Sequence, residues 1–206
     1  MIQYIVLILL LAAVPASAFF SSQEEALNSL RSKYGKMNGV MAEFMSVEPV
    51  SGMRGMIRAT VKGQYIIDVA DRHLVCDGKN IWNYSPSQRS VTISPVRPGA
   101  RIGLDQILFT FLKSYKAERL VEYQASKGQR WDALELKPAD ANAASMGIQK
   151  LIVYLEKGGT IIRRIATMGQ AGNQVWDIIA LKTDPKFKSG QFTYKPPKDV
   201  QIIDLR

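Results

Sequence analysis

Residues 53–84, MRGMIRATVKGQYIIDVADRHLVCDGKNIWNY, decide the fold class, because their apolar side chains recur at every second position. Met53, Ile57, Ala59 and Val61 alternate with Arg54, Arg58, Thr60 and Lys62, and Tyr65, Ile67 and Val69 alternate with Gln64, Asp68 and Ala70. A period of two belongs to a strand with one face in a core and the other in water. Gly63 supplies a tight corner between these strands, and Asp77-Gly78 is a strong hairpin signal joining 74–77 to 81–84. Ser85-Pro86-Ser87 then turns the chain into a further strand at 90–94.

Working outward, Ser22 to Glu25 reads as a capping box, with Ser22 as cap and Glu25 at the third helical position. Leu27, Leu30 and Tyr34 follow at helical spacing and Gly35 is placed to end the helix, which predicts an amphipathic helix over 22–36. Downstream, Pro95, Pro98 and Gly99 make a loop, after which Leu104, Ile107, Leu108, Phe111, Leu112 and Tyr115 fall on one helical face. Strands resume at 118–125, 129–136, 148–155, 161–168 and 174–183, separated by turn-like Ser126-Lys127-Gly128, Gly158-Gly159 and the stretch 169–173. The total is about eleven strands with short connections, hence antiparallel neighbours. So wide a sheet curls into a barrel or splits into layers. The economical arrangement is a mainly β (α+β) domain, a curved sheet whose concave face is covered by the two helices. Periodicity leaves open whether that covered space is solid core or a cavity under a lid.

Composition narrows the chemistry. The 206 residues carry 27 Lys plus Arg against 18 Asp plus Glu, a formal net charge of +9, with one His and one Cys. A structural zinc site needs four Cys or His ligands, and one Cys forms no internal disulfide. His73, with Asp71 close in sequence, could imitate a base and its orienter, but no G-x-S-x-G or comparable nucleophile segment accompanies it. No catalytic residue, metal or cofactor is therefore assigned. Cys76, in a strand beside the Asp77-Gly78 turn, reads as a small buried residue. Lys182, Lys186, Lys188, Lys195 and Lys198 gather near the C-terminus, either as a solvated face or as a surface for anionic membranes or acidic partners.

Residues 1–18, MIQYIVLILLLAAVPASA, have an apolar run shorter than a spanning helix, a Pro break and an A-x-A cleavage signature, the pattern of a secretory signal peptide. The expectation is an exported, soluble single domain over 19–206, for which nucleic acid is an improbable partner.

Three segments in order carry a resemblance. Asp77-Gly78-Lys79-Asn80-Ile81-Trp82-Asn83-Tyr84-Ser85-Pro86 resembles the D-G-K-x-[LI]-W-x-Y-x-P segment of the LolA family, the periplasmic carriers of outer-membrane lipoproteins. Leu134-Glu135-Leu136-Lys137-Pro138 is similar to that family's L-x-L-x-P strand end, and the tail from Phe192 to Asp204 to its F-x-F-x-P-P-x-G-V-x-V-I-D ending. The resemblance implies an unclosed antiparallel β-barrel of eleven strands with a lid of short α-helices over a hydrophobic cavity. It implies a monomeric, non-enzymatic carrier without cofactors. Such a carrier takes acylated lipoproteins from an inner-membrane ABC-type release complex to an outer-membrane acceptor, a lipoprotein receptor or the membrane itself. The alternative use of the same fold is a non-transporting, lipoprotein-binding regulatory or envelope-stress sensing module. On the carrier reading Met53, Ile57, Ala59, Val61, Tyr65, Ile67, Val69, Leu74 and Trp82 are expected to line the acyl-binding cavity. Leu104, Ile107, Leu108, Phe111, Leu112 and Tyr115 are expected on the lid helix. The chain departs from the family at residues 61–67, VKGQYII, where an Arg-Pro would tether the lid and an aromatic would stand in place of Ile67.

Overall fold

Alternation also runs upstream of the stretch quoted above, and there it builds the strand that joins the two halves of the sheet. The computed structural model describes residues 22–96, 108–109, 112–145, 147–170 and 172–206. In it Gly39–Glu48 forms β1, with Val40, Ala42 and Phe44 buried on one side. From sequence alone residues 39–48 stay unassigned, because the helix-favouring Met41, Ala42, Glu43 and Met45 blur the strand pattern. β1 pairs antiparallel with β2 (Arg54–Thr60) on one edge and β11 (Gln174–Thr183) on the other. From β2 a meander continues through β3 (Tyr65–Val69), β4 (Arg72–Cys76), β5 (Asn80–Ser85) and β6 (Ser90–Pro95). From β11 a second meander steps back through β10 (Ile162–Gly169), β9 (Ile148–Glu156), β8 (Arg130–Pro138) and β7 (Tyr115–Gln124). A last strand, β12 (Gln201–Asp204), joins the outer edge of β6.

The result is one twelve-stranded sheet with β12 and β7 at its edges, an unclosed barrel as expected. One pairing differs from the antiparallel rule: β12 runs parallel to β6. The chain between β11 and β12 is long enough for the crossover that a parallel pair requires. Register shifts interrupt β1 against β11, β9 against β10 and β7 against β8, and such bulges bend a sheet.

The Ser22 cap is present. α1 (Gln23–Tyr34) begins behind Ser22, whose hydroxyl accepts the Glu25 amide, and it buries Ala26, Leu27, Leu30 and Tyr34. It packs on β7 and β8, while a short helix, α2 (Ala141–Ser145), packs on β8 and β9. The Asp77-Gly78 turn is held by the Asp77 carboxylate, which accepts the amides of Lys79 and Asn80, and Gly78 takes φ +95°. That left-handed conformation suits glycine.

One continuous core lines the inner face, from Tyr65, Ile67 and Val69 on β3 to Leu120 on β7. The outer face carries two smaller clusters. Ala133, Ile152 and Ala166 form one, with Val121, Tyr123, Tyr154 and Val175 around it. In the other, Phe187, Phe192 and Tyr194 of the tail after β11 lie on Ile66 and Val75. Residues 184–200 thus form a strap across the outer face of the β1–β6 half. Phe192→Ala removes the buried anchor of that strap and is expected to destabilise the protein by about 3 kcal/mol, measured by urea unfolding.

Candidate functional site

Strand register decides which side chains share the inner face. Ala42 stands opposite Ile57, Ile57 opposite Ile67, and Ile67 opposite Leu74. Ala59 and Tyr65 form the adjacent row, opposite Val40 and Cys76 respectively. Beyond β4 the same face turns polar, because Leu74 is opposite Asn83 and Asn83 opposite Thr92. The apolar wall therefore spans β1 to β4 and continues on the other side of β1 into Trp176 and Ile178 of β11.

In that wall lies a cleft of about 270 Å³. Phe44, Ile57, Ile67, Val69 and Trp176 make its apolar lining, with Met53 and Pro49 at its end and Ser46, Glu48 and Gln174 as the polar contribution. Gly55 gives the cleft its shape. It pairs with Phe44 in register, and a Cβ added to it would fall 2.5 Å from Phe44 Cζ and 2.9 Å from the Asp68 carbonyl oxygen. The Phe44 ring is thus seated over a missing side chain.

Of the nine expected wall residues, Met53, Ile57, Ile67 and Val69 line the cleft, and Ala59, Tyr65 and Leu74 share its face. Two do not belong. Val61 lies past the end of β2, is 48% exposed, and borders a different groove beside the strap. Trp82 pairs with Val75, so its side chain leaves the outer face, opposite to Leu74. The separation follows from pleating: adjacent residues of one strand point to opposite faces. Phe44, Ser46 and Trp176 were legible only as an alternation of Val40, Ala42, Phe44 and Ser46 and of Trp176 and Ile178.

Of the lid stripe, Leu104, Ile107 and Phe111 lie outside the described residues. Leu108 and Leu112 are buried in the inner core together with Leu27 and Leu30 of α1 and Leu134 and Leu136 of β8. Tyr115 differs from the expectation, since it opens β7 rather than closing a helix. Its phenol is pushed up from its ordinary pKa by burial, and its hydroxyl donates to the Ile148 carbonyl at 3.4 Å. The chain has no Arg-Pro at 61–67, yet an arginine does hold this segment. Arg31 of α1 donates from Nε to the Leu112 carbonyl at 2.9 Å and from Nη2 to the Tyr115 carbonyl at 3.3 Å. Leu112 lies among the last helical residues before β7, where carbonyls need outside donors, and Tyr115 is the first residue of β7. A contact between residues so far apart in sequence leaves no local signal.

The other singled-out groups have structural partners. His73 Nδ1 lies 2.5 Å from Asp68 Oδ1 rather than meeting Asp71, and Arg58 donates to the other Asp68 oxygen at 2.8 Å. The ring also packs 5.5 Å from that of Tyr194 on the strap. Partial burial raises the Asp68 pKa, but the bonds from His73 and Arg58 outweigh it and hold the carboxyl below its ordinary range. Asp71 instead accepts from the hydroxyls of Ser85 and Ser87. Cys76 is buried, its sulfur 3.4 Å from the Gly63 carbonyl oxygen. Among the described residues no group of three or more His, Cys, Asp or Glu is arranged to hold a metal, and no helix is long and apolar enough to cross a membrane.

An unclosed sheet with a helix-covered apolar inner face is the architecture of this chain, and comparisons with known proteins identify its family. The family model described as outer membrane lipoprotein carrier protein LolA matches residues 70–195. The chain belongs to the LolA family. It is 23% identical over 190 residues to the outer-membrane lipoprotein carrier protein of Histophilus somni (strain 2336), covering 88% of each chain. It is also 23% identical over 206 residues to the protein of that name from Pectobacterium carotovorum, covering 96% of this chain and 95% of the relative. Among solved structures, an uncharacterized conserved protein from Thermus thermophilus has the same fold, with a TM-score of 0.51 at 14% identity over 87% of this chain and 97% of that one.

Two outcomes follow from the geometry. Gly55→Val forces the Phe44 ring to move and is expected to cost about 2 kcal/mol in denaturant unfolding. Asp68, with its folded pKa depressed, contributes stability above the ordinary carboxylate range that is lost as pH falls through the lower folded value. The Asp68→Asn variant should therefore lose less stability than wild type on acidification below about pH 4, read from melting temperatures across a pH series.

Proposed function

We propose that this protein is a periplasmic lipoprotein carrier, exported by a leader at residues 1–18 and working as a diffusing monomer without turnover. It takes acylated lipoproteins from an ABC-type release complex at the inner membrane and shelters their acyl chains against the inner face of its sheet. It then delivers them to an outer-membrane acceptor, a receptor or the membrane itself. The observation that carries this reading is the apolar cleft between Phe44, Ile57, Ile67, Val69 and Trp176, set in the wall of an unclosed sheet. Family membership supports it.

Physical chemistry requires such a carrier to compete with itself. An acyl chain contributes about 0.8 kcal/mol per buried CH₂, so a sixteen-carbon chain approaches ~12 kcal/mol. Two or three such chains in a preformed cavity would exceed the practical affinity ceiling and never leave. The empty protein offsets this by burying the same surface on its own side chains. Leu108 and Leu112 are packed in the inner core, and fully burying each is worth about 2 kcal/mol. Cargo entering beyond the small existing cleft displaces that packing and breaks the Arg31 bonds to Leu112 and Tyr115. The net affinity is a difference, and this makes release feasible. Contacts of this kind are tolerant of shape, which suits varied cargo.

The experiment is displacement of a hydrophobic fluorescent probe by a triacylated lipopeptide, with its deacylated twin as control. Displacement by the acylated form alone is expected, and failure of both to compete would defeat the reading. The face assignment sharpens it. Ile67→Glu, at a half-buried position on the cleft, should reduce probe binding at least tenfold. Trp82→Ala, on the outer face, should leave it within about twofold.

A further inference from the structure

The strap over the outer face has a composition that acyl binding does not use. Its apolar side chains, Phe187, Phe192 and Tyr194, turn to the sheet, and Lys186, Lys188, Lys195 and Lys198 turn to solvent, as does Lys182 at the end of β11. The loop tips beside it add Lys62 and Lys79, both exposed. Lys62 and Lys188 border one groove of about 550 Å³ between strap and sheet. None of these seven lysines forms an ion pair among the described residues, in contrast with the other half of the molecule. There Arg119 and Lys150 share Glu135, Lys157 meets Asp132, and Arg164 meets Asp177.

Of the nearby carboxylates, Asp184 and Asp77 are turned inward to backbone, while Asp199 beside Lys198 is exposed. Asp184 Oδ1 accepts the amides of Asn38 and Gly39 at 2.7 and 3.2 Å, and Asp77 accepts those of Lys79 and Asn80. Because the strap crosses a single face of the sheet, its cations project from the same side. The strap has no arginine and exposes no large apolar side chain between 182 and 198. Protein interfaces are enriched in Arg and aromatic residues, depleted in Lys, and built on an apolar centre. Arginine also suits fixed, bidentate carboxylate geometry, whereas lysine is a flexible point charge. A field of mobile point charges, with Val61 the exposed apolar side chain at the groove, matches a fluid layer of anionic headgroups better than the surface of a folded acidic protein.

We propose that the strap face, carried by Lys62, Lys79, Lys186, Lys188, Lys195 and Lys198, is an electrostatic docking surface for anionic lipid bilayers. It holds the protein against a membrane surface while the inner face stays free on the opposite side of the sheet. Each lysine close to an anionic surface strengthens attachment about fivefold, and the attraction decays over a Debye length.

The test is sedimentation of the purified protein with phosphatidylcholine vesicles, with and without phosphatidylglycerol, over a series of salt concentrations. Binding is expected to need phosphatidylglycerol and to fall steeply with salt. The K186Q/K188Q/K195Q/K198Q variant should bind several hundredfold more weakly, with its probe-binding affinity and circular dichroism unchanged. Lys116→Gln, on the far edge strand β7, should bind as wild type does. Equal binding to pure phosphatidylcholine would overturn the proposal, since it would mark apolar insertion. A loss in Lys116→Gln equal to that of the single K188Q variant, expected to be about fivefold, would overturn it too, as an effect of net charge alone. Retention on immobilised polyglutamate without any affinity for the anionic vesicles would overturn it in favour of an acidic protein partner.

Discussion

An unclosed sheet with an apolar inner face has to cover that face with something, and every other feature of this molecule answers to that constraint. α1 and the helical residues around Leu108 and Leu112 supply the cover in the state described here. They complete a core that reaches from β3 to β7 and leave a small cleft beside β1. A closed barrel of about eight strands is filled by its own side chains, whereas a sheet of twelve strands leaves an interior that needs a separate filling. Leaving the edges unpaired keeps the cover separable from the wall, because no ladder of backbone bonds ties the helices to the sheet.

The cover is held by contacts that are individually modest. Arg31 donates to two carbonyls, and two leucines pack into the inner core. Interactions of this size, about 1–3 kcal/mol each, are comparable with the burial of two or three methylenes. Self-packing therefore subtracts part of the gain from acyl burial, and it is weak enough for cargo to replace the cover. The outer face is stabilised separately by Phe187, Phe192 and Tyr194 and by the Asp68, His73 and Arg58 cluster. Rearrangement on the inner side need not disturb it, and the two faces can serve different contacts.

Much of this was legible in the sequence, for reasons that can be named. Alternation over 53–69, the Asp77-Gly78 turn and the Ser22 capping box are local signals, and each element they predict is present. The strand at 174–183 coincides with β11. Legibility failed where the deciding contact was distant. β1 carries helix-favouring residues and owes its conformation to having a partner on both edges. The parallel partner of β12 depends on where a seventeen-residue strap happens to land. Trp82 was expected on the cavity wall with Leu74, but pairing to Val75 sends it to the opposite face. The choice of face is set by register across strands, and a single strand's pattern does not contain it. The Arg31 contacts span two helices brought together only by the fold.

The central claim is that cargo and cover compete for one surface. It is tested most directly by hydrogen exchange at the amides around Leu108 and from Leu112 to Tyr115, compared between the empty protein and the protein saturated with a triacylated lipopeptide. Competition predicts faster exchange in that segment on binding, while β9, β10 and the strap stay unchanged. Unchanged or slower exchange there, with the lipopeptide demonstrably bound, would mean that acyl chains sit elsewhere and that the helical cover is ordinary core.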